Sequence, residues 1–173
     1  EEPPFSIDPL TGVVTLTAVL DREQVESYLF SVIATDQGVP SLSSAVNISV
    51  LVEDVNDNAP QFNASQYTAS LVENSPLDTS IITIAATDPD QGSNGAILFS
   101  FIGEGPFSIN SSTGEVFLSG SVDREEQAMY ALTVVAADQG NPSLSSQAQL
   151  TITITDQNDN NPVFSLTHYI FSA

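Results

Sequence analysis

Leu150-Thr151-Ile152-Thr153-Ile154-Thr155 runs directly into Asp156-Gln157-Asn158-Asp159-Asn160-Asn161-Pro162-Val163-Phe164. The first six residues alternate apolar and hydroxyl side chains, the period-two pattern of a strand with one buried face. The next nine break that pattern with carboxylates, amides and a proline, which end a strand and open a connection. The same connection occurs once before, as Asp54-Val55-Asn56-Asp57-Asn58-Ala59-Pro60-Gln61-Phe62. The two lie 102 residues apart, and at that offset much of the chain repeats.

Pro4-Phe5-Ser6-Ile7 returns as Pro106-Phe107-Ser108-Ile109, and Thr11-Gly12 as Thr113-Gly114. Asp21-Arg22-Glu23 returns as Asp123-Arg124-Glu125, and Asp36-Gln37-Gly38 as Asp138-Gln139-Gly140. Residues 1–71 laid over 103–173 without a gap give 31 identities. Such a repeat means tandem copies of one domain type of about 100 residues. Residues 60–162 make one complete copy. Residues 1–59 correspond to the second part of a preceding copy whose front half is missing, and residues 163–173 to the start of a third. The incomplete copy is expected to expose core residues such as Phe30, Val32, Ile48 and Val50.

Within the complete copy the candidate strands are Gln66–Glu73, Ser80–Thr87, Ile97–Ile102, Phe107–Asn110, Glu115–Ser119, Tyr130–Ala137 and Gln147–Thr155. They are rich in β-branched and aromatic residues. Turn clusters such as Asp90-Gln91-Gly92-Ser93-Asn94-Gly95 separate them. Seven short strands in about 100 residues predict an all-β fold of antiparallel, immunoglobulin-like sandwiches. The Cys and Trp of antibody domains are absent, so another sandwich family is required.

The 173 residues carry 22 acidic and 2 basic side chains, a net charge near −20. Nucleic acid and anionic membranes are excluded as partners, because almost nothing neutralises their phosphates. With no Cys and no Lys, thiol catalysis, Cys-built zinc sites and lysine bases are excluded as well, and His168 is the only His. No apolar run approaches the ~20 residues of a membrane span, and Glu1-Glu2-Pro3-Pro4 lacks the basic and apolar regions of a signal peptide.

The acids gather at segment ends. Asp54, Asn56, Asp57 and Asn58 offer carboxylate, amide and main-chain oxygens within five residues, the mixed donor set that suits a hard cation. An EF-hand register fails: counted from Asp88, Asp54 or Asp156, position 12 is Phe99, Ser65 or Thr167, never Glu. Any ligand set is therefore assembled from separate parts of the fold. The competing reading of Asp54–Asn58 is an Asx-rich turn. Arg22 and Arg124, both inside D-R-E, read either as surface ion pairs of little value or as structural partners of the neighbouring carboxylates, and the sequence leaves the two open.

Taken together, D-R-E, A-x-D-Q-G, D-x-N-D-N-x-P-x-F, Val72-Glu73-Asn74, and Asp88-Pro89-Asp90 with Asn94-Gly95 resemble extracellular cadherin repeats over the whole chain. The style is similar to protocadherins and to Fat- and Dachsous-type cadherins. The resemblance implies tandem seven-stranded Greek-key sandwiches joined end to end, with Ca²⁺ at the junctions between repeats. It assigns Asp21, Glu23, Asp54, the Val55 carbonyl, Asn56, Asp57, Asn58, Asp88, Asp90, Asn94 and Asp138 to a first junction. It assigns Glu73, Asp123, Glu125, Asp156, the Gln157 carbonyl, Asn158, Asp159 and Asn160 to a second. The first lacks an upstream bridging acid and the second lacks the next copy's D-x-D.

The same resemblance implies calcium-dependent adhesion or recognition by the ectodomain of a plasma-membrane protein. Its partners would be other cadherin-type ectodomains, of the same or a different chain. A calcium-stiffened structural spacer and a bacterial-type adhesin with similar repeats stand as alternatives. A carboxylate-pair hydrolase built on Asp88 and Asp90 has no nucleophile or base beside it, so no enzyme is expected. Asn47-Ile48-Ser49, Asn63-Ala64-Ser65 and Asn110-Ser111-Ser112 are glycosylation sequons, with Asn47 on the polar face of its strand.

Overall fold

The computed structural model describes residues 3–168 and 170–171, and every regular element among them is a β-strand. No helix among the described residues is long and apolar enough to cross a membrane. The chain divides into two compact units that do not follow its linear order. One gathers the described residues up to Ala59 with the segments Asp88–Ala96 and Asp138–Leu144. The other holds Pro60–Thr87, Ile97–Ala137 and the chain from Ser145 onward.

The first unit contains two hairpins. β1 (Phe5–Ile7) pairs antiparallel with β2 (Val14–Leu16), and β3 (Ser27–Thr35) with β4 (Ser43–Leu51). The β1–β2 turn is set by Asp8, whose Oδ1 accepts the Leu10 and Thr11 N–H groups at 2.9 and 2.8 Å. Gly12 closes it at φ 72°, a conformation that disfavours a Cβ. Phe5 stacks on Phe30 and meets Tyr28 edge-on, which joins the hairpins. Phe30, Val32, Ile48 and Val50 are half-buried rather than exposed. Leu29, Ile33 and Leu51 lie bare on the other strand face, and Val46, on the same face as Ile48 and opposite Val32, is 61% exposed.

The second unit follows the alternation read from the sequence. Its strands are β5 (Gln61–Phe62), β6 (Gln66–Val72), β7 (Ser80–Thr83), β8 (Ala86–Thr87), β9 (Leu98–Ile102), β10 (Phe107–Ile109), β11 (Glu115–Leu118), β12 (Met129–Ala137) and β13 (Ser145–Thr155). They form a four-stranded sheet β6-β13-β12-β9, a three-stranded sheet β10-β11-β7 and a short pair β5-β8. The core is built from alternate residues of these strands: Leu132, Val134 and Ala136 on β12, Leu150, Ile152 and Ile154 on β13, and Val116 and Leu118 on β11, together with Ile84 between β7 and β8.

Two features depart from the sequence reading. Ser80–Thr87 is not one strand: it breaks at Ile84–Ala85, where the Ile84 N–H turns to the Gly114 carbonyl at 2.9 Å. A Cβ on Gly114 would lie 2.0 Å from the Ile84 carbonyl oxygen, so that close approach needs glycine. The sandwich is also not wholly antiparallel, since β6 runs parallel to β13 from Gln66↔Gln149 to Val72↔Thr155. Alternation fixes which face is buried but carries no sign of strand direction.

Candidate functional site

The parallel pairing of β6 with β13 decides what lies beyond their shared end. Continuing the ladder, the Glu73 N–H reaches the Thr155 carbonyl at 3.0 Å. That places the buried Glu73 carboxylate beside the start of the Asp156–Asn160 connection. Its two oxygens accept the Gln157 N–H at 2.7 Å and the Arg124 N–H at 2.8 Å. These bonds hold its carboxyl below the ordinary range, against the burial that would raise it. Glu73, Asp123 and Glu125 each bring a carboxylate oxygen within 4.8 Å of the others.

Around that trio, Arg124 pairs with Glu125 and, at 2.8 Å, with Asp156. Asn160 Nδ2 donates to Glu125 at 3.1 Å and to Asp159 at 2.7 Å. Asn74, at φ 57°, donates to the other Asp159 oxygen at 2.6 Å. Asn158 is exposed.

A second cluster forms in the first unit, where Asp54–Asn58 meets the loops 88–96 and 138–144. Asp54 accepts the Gln91 N–H at 3.1 Å and Asn94 Nδ2 at 2.9 Å, and pairs with Arg22 Nε at 2.5 Å. Asp90 accepts the Asn58 N–H at 3.2 Å and Asn58 Nδ2 at 2.8 Å. Asp138 accepts the N–H groups of Gly140 and Leu144. Glu23, Asp54 and Asp90 bring carboxylate oxygens within 4.8 Å of one another. Asn56 Nδ2 donates to the Pro142 carbonyl at 2.6 Å.

Two acceptors in this cluster are buried without a hydrogen-bond partner: Asn56 Oδ1 and Asp88 Oδ2. A buried acceptor left unmade costs roughly 1–3 kcal/mol, more when charged. Burial pushes the Asp88 carboxyl up, and although the Asp90 N–H opposes this, the charges of Asp90, Asp138 and Asp54 add to it. The loop fits closely around this point. A Cβ on Gly140 would lie 2.3 Å from Asn56 Nδ2 and 2.8 Å from Asn94 Oδ1.

Other residues assigned by resemblance sit at the margin. Asp21 caps its own turn, accepting the Gln24 N–H at 3.0 Å. The Val55 carbonyl accepts the Asp57 N–H at 2.9 Å, and Asp57 accepts Asn58 Nδ2 at 2.8 Å. For Arg22 the structure favours the structural reading over the surface pair. Arg22 is 7% exposed, pairs with Glu23 and Asp54, and donates to the Pro89 carbonyl at 2.7 Å. Arg124, at 40%, fits the surface pair better. The duplicated D-R-E was the available signal for Arg22, but spacing alone did not tell a buried arginine from a solvated one.

The three sequon asparagines are exposed. Asn47 Oδ1 accepts Ser31 Oγ at 2.7 Å across β3–β4. Asn110 Oδ1 holds its own turn through the Ser112 and Thr113 N–H groups.

The family model for the cadherin domain matches residues 1–53 and 67–155. The chain is 43% identical over 166 residues to the protocadherin-like wing polarity protein stan of Drosophila melanogaster, covering 94% of this chain and 5% of that protein. It is 44% identical over 163 residues to human protocadherin-11 X-linked, covering 94% and 12%. Among solved structures, extracellular cadherin domains 3-6 of protocadherin gamma B2 superpose with a TM-score of 0.85 at 36% identity, covering 92% of this chain and 40% of that one. Mouse cadherin-23 EC22-24 gives 0.83 at 35%, covering 89% and 50%. The chain thus spans a small part of the length of the curated relatives it matches.

Proposed function

The chain belongs to the cadherin domain family, extracellular repeats of cell-surface adhesion and recognition proteins, and from that premise we propose that it is a calcium-dependent segment of an adhesive ectodomain. The observation that carries this reading is the pair of orphaned buried oxygens, Asn56 Oδ1 and Asp88 Oδ2, among converging carboxylates. A buried set of like charges with unmet acceptors is unfavourable unless a cation completes it. Oxygen donors only, from carboxylate, amide and carbonyl, suit a hard cation of the Ca²⁺ type.

The residues that would hold ions in the first cluster are Glu23, Asp54, Asn56, Asn58, Asp88, Asp90, Asn94 and Asp138, with Asp21, Asp57 and the Val55 carbonyl at its margin. In the second they are Glu73, Asp123, Glu125, Asp156, Asp159 and the Gln157 carbonyl, with Asn158 and Asn160 beside them. When bound, Ca²⁺ supplies the positive charge that seven carboxylates and one arginine of the first cluster lack. The chain's own part is to fix the donors: backbone N–H groups aim Asp54, Asp138 and Glu73, and Asn58 aims Asp90. The 54–58 segment is then tied to the loops 88–96 and 138–144. This reading gives the carboxylates a binding role and no catalytic one.

Extracellular calcium modules bind at roughly 10⁻⁴–10⁻³ M. At ~2 mM Ca²⁺ each filled site then stabilises the fold by about 0.6–1.8 kcal/mol. Thermal melting in Ca²⁺ and in chelator should show a clear upward shift with Ca²⁺. The double variant Asp88→Asn/Asp90→Asn should lose most of the first cluster's share, and its metal-free melting point should rise or hold, because two of the repelling charges are gone. A melting curve indifferent to millimolar Ca²⁺ overturns the proposal.

A further inference from the structure

Arg22 is a cation already seated among the carboxylates that the proposed ion would use. Its guanidinium pairs with Glu23, lies 2.5 Å from Asp54 Oδ1 through Nε, and donates through Nη2 to the Pro89 carbonyl at 2.7 Å. It thereby spans the D-R-E turn, the Asp54 connection and the loop 88–96, the three segments that carry Glu23, Asp54 and Asp90. Both Asp54 oxygens are engaged: Oδ1 also accepts the Gln91 N–H, and Oδ2 accepts Asn94 Nδ2. The duplicate makes the same choice. Arg124 pairs with Glu125 and Asp156, the counterparts of Glu23 and Asp54. One arginine is enclosed and the other more open, yet both hold the same two acids.

We infer that the Arg22 guanidinium is a built-in rival of the ion, holding Glu23 and Asp54 when calcium is scarce and swinging out when they ligate it. The inference rests on the calcium reading above and adds the residue that sets the first cluster's affinity. A hard divalent cation needs bare oxygens at about 2.3–2.6 Å. A guanidinium on the same carboxylates blocks that approach, and two cations on one pair of acids repel. Arg22 is also placed to leave. Its Nε is buried beside Asp54 yet makes no directed hydrogen bond to it, so the fork loses less on release than a true bidentate pair would. Glu26, exposed and one turn on, already lies 4.0 Å from Nη1 and offers a partner nearer solvent. While Arg22 stays in, it ties together the segments an ion would tie, and Glu23 and Asp54 do not face each other bare.

The test is an NMR titration of the 173-residue chain, from chelator up to ~10 mM Ca²⁺, about ten times the weakest expected Kd. The amide signals of Gln91 and Gly140 report the first cluster. With only two arginines in the chain, two Nε–H signals report the guanidinium groups, and Arg124→Gln assigns them. In chelator the Arg22 Nε–H should exchange slowly with water; at saturating Ca²⁺ it should exchange as fast as an exposed one. Arg22→Gln should tighten Ca²⁺ binding at the first cluster by about three- to tenfold, the gain expected if the paired form holds roughly 70–90% of the molecules. Arg22→Lys keeps the charge but loses the planar fork, and should tighten binding by a smaller, measurable factor. The inference is overturned if Arg22→Gln binds Ca²⁺ no more tightly, if Arg22→Lys titrates like the unmodified chain, or if the Arg22 Nε–H stays protected at saturation. Each of those results leaves the calcium reading standing. If no signal moves with Ca²⁺, the calcium reading falls and this inference falls with it. The exchange measurement needs no change at Arg22, so it decides the matter even if Arg22→Gln unfolds.

Discussion

Val14 and Val116 occupy the same place in two copies of one sequence pattern, yet Val14 is 38% exposed and Val116 fully buried. Leu16 and Leu118 differ further, at 54% against 0%. The hairpins themselves match: β1–β2 and β10–β11 share the register Phe–Leu, Ser–Thr/Phe, Ile–Val. What differs is the company. β11 pairs with β7 as well as β10, β13 with β6, and β12 with β9. Among the described residues, β2 pairs only with β1, and β3 only with β4. An amphipathic strand thus states which face seeks cover, and burial follows only where other strands supply it.

The largest expected contrast comes from truncating equivalent positions. Leu150→Ala, at a fully buried site, should cost about 2–5 kcal/mol in urea denaturation. Ile48→Ala, its half-buried counterpart, should cost about 1 kcal/mol or less, because less area leaves contact. Equal losses would break the comparison by revealing a closed core around Ile48.

Next comes a pair of glycines. A methyl on Gly140 meets Asn56 and Asn94 well inside contact distance, whereas on Gly38 the nearest atom is Asp36 Oδ1 at 3.2 Å. Gly140→Ala should destabilise the chain by about 1–3 kcal/mol and flatten the Ca²⁺ titration of the first cluster. Gly38→Ala should stay within about 1 kcal/mol. The arginines give a smaller contrast. In chelator, Arg22→Gln should lower the melting temperature more than Arg124→Gln. Arg22 is the more enclosed, and its loss leaves Glu23 and Asp54 facing each other.

The smallest effect separates Asp8 from Asn110, which close equivalent turns. The Thr11 N–H, then the Leu10 N–H, hold the Asp8 carboxyl below its ordinary value. A carboxyl lowered in the folded state adds stability that is present above the unfolded pKa of ~3.9 and fades as pH falls through the lower folded value. Asn110 accepts the same two kinds of N–H and has no proton to gain. Asp8→Asn should flatten the acid-side slope and Asn110→Asp should create one, read by NMR titration of the carboxyl and by melting from pH 2 to 5.

Most of the second unit was legible because its core strands obey a simple rule. Leu150, Ile152 and Ile154 alternate with Thr, and the three are buried as the period requires. The break at Ile84 was not legible, since it depends on Gly114 approaching from a distant turn. The parallel β6–β13 pairing was hidden for a related reason: side-chain alternation is blind to strand direction. At the clusters, the duplicated Asp and Asn residues pointed to side chains that the structure brings together. Spacing could not say that Arg22 is enclosed among them, or that Asn74 reaches Asp159.

The same parallel pairing has a mechanical consequence. Because β6 and β13 run in one direction, a pull on the start of β6 and the end of β13 slides the strands past each other. All seven register pairs from Gln66↔Gln149 to Val72↔Thr155 then resist together, whereas an antiparallel pair drawn apart from one end would unzip bond by bond. A module pulled by those two ends would yield late and abruptly.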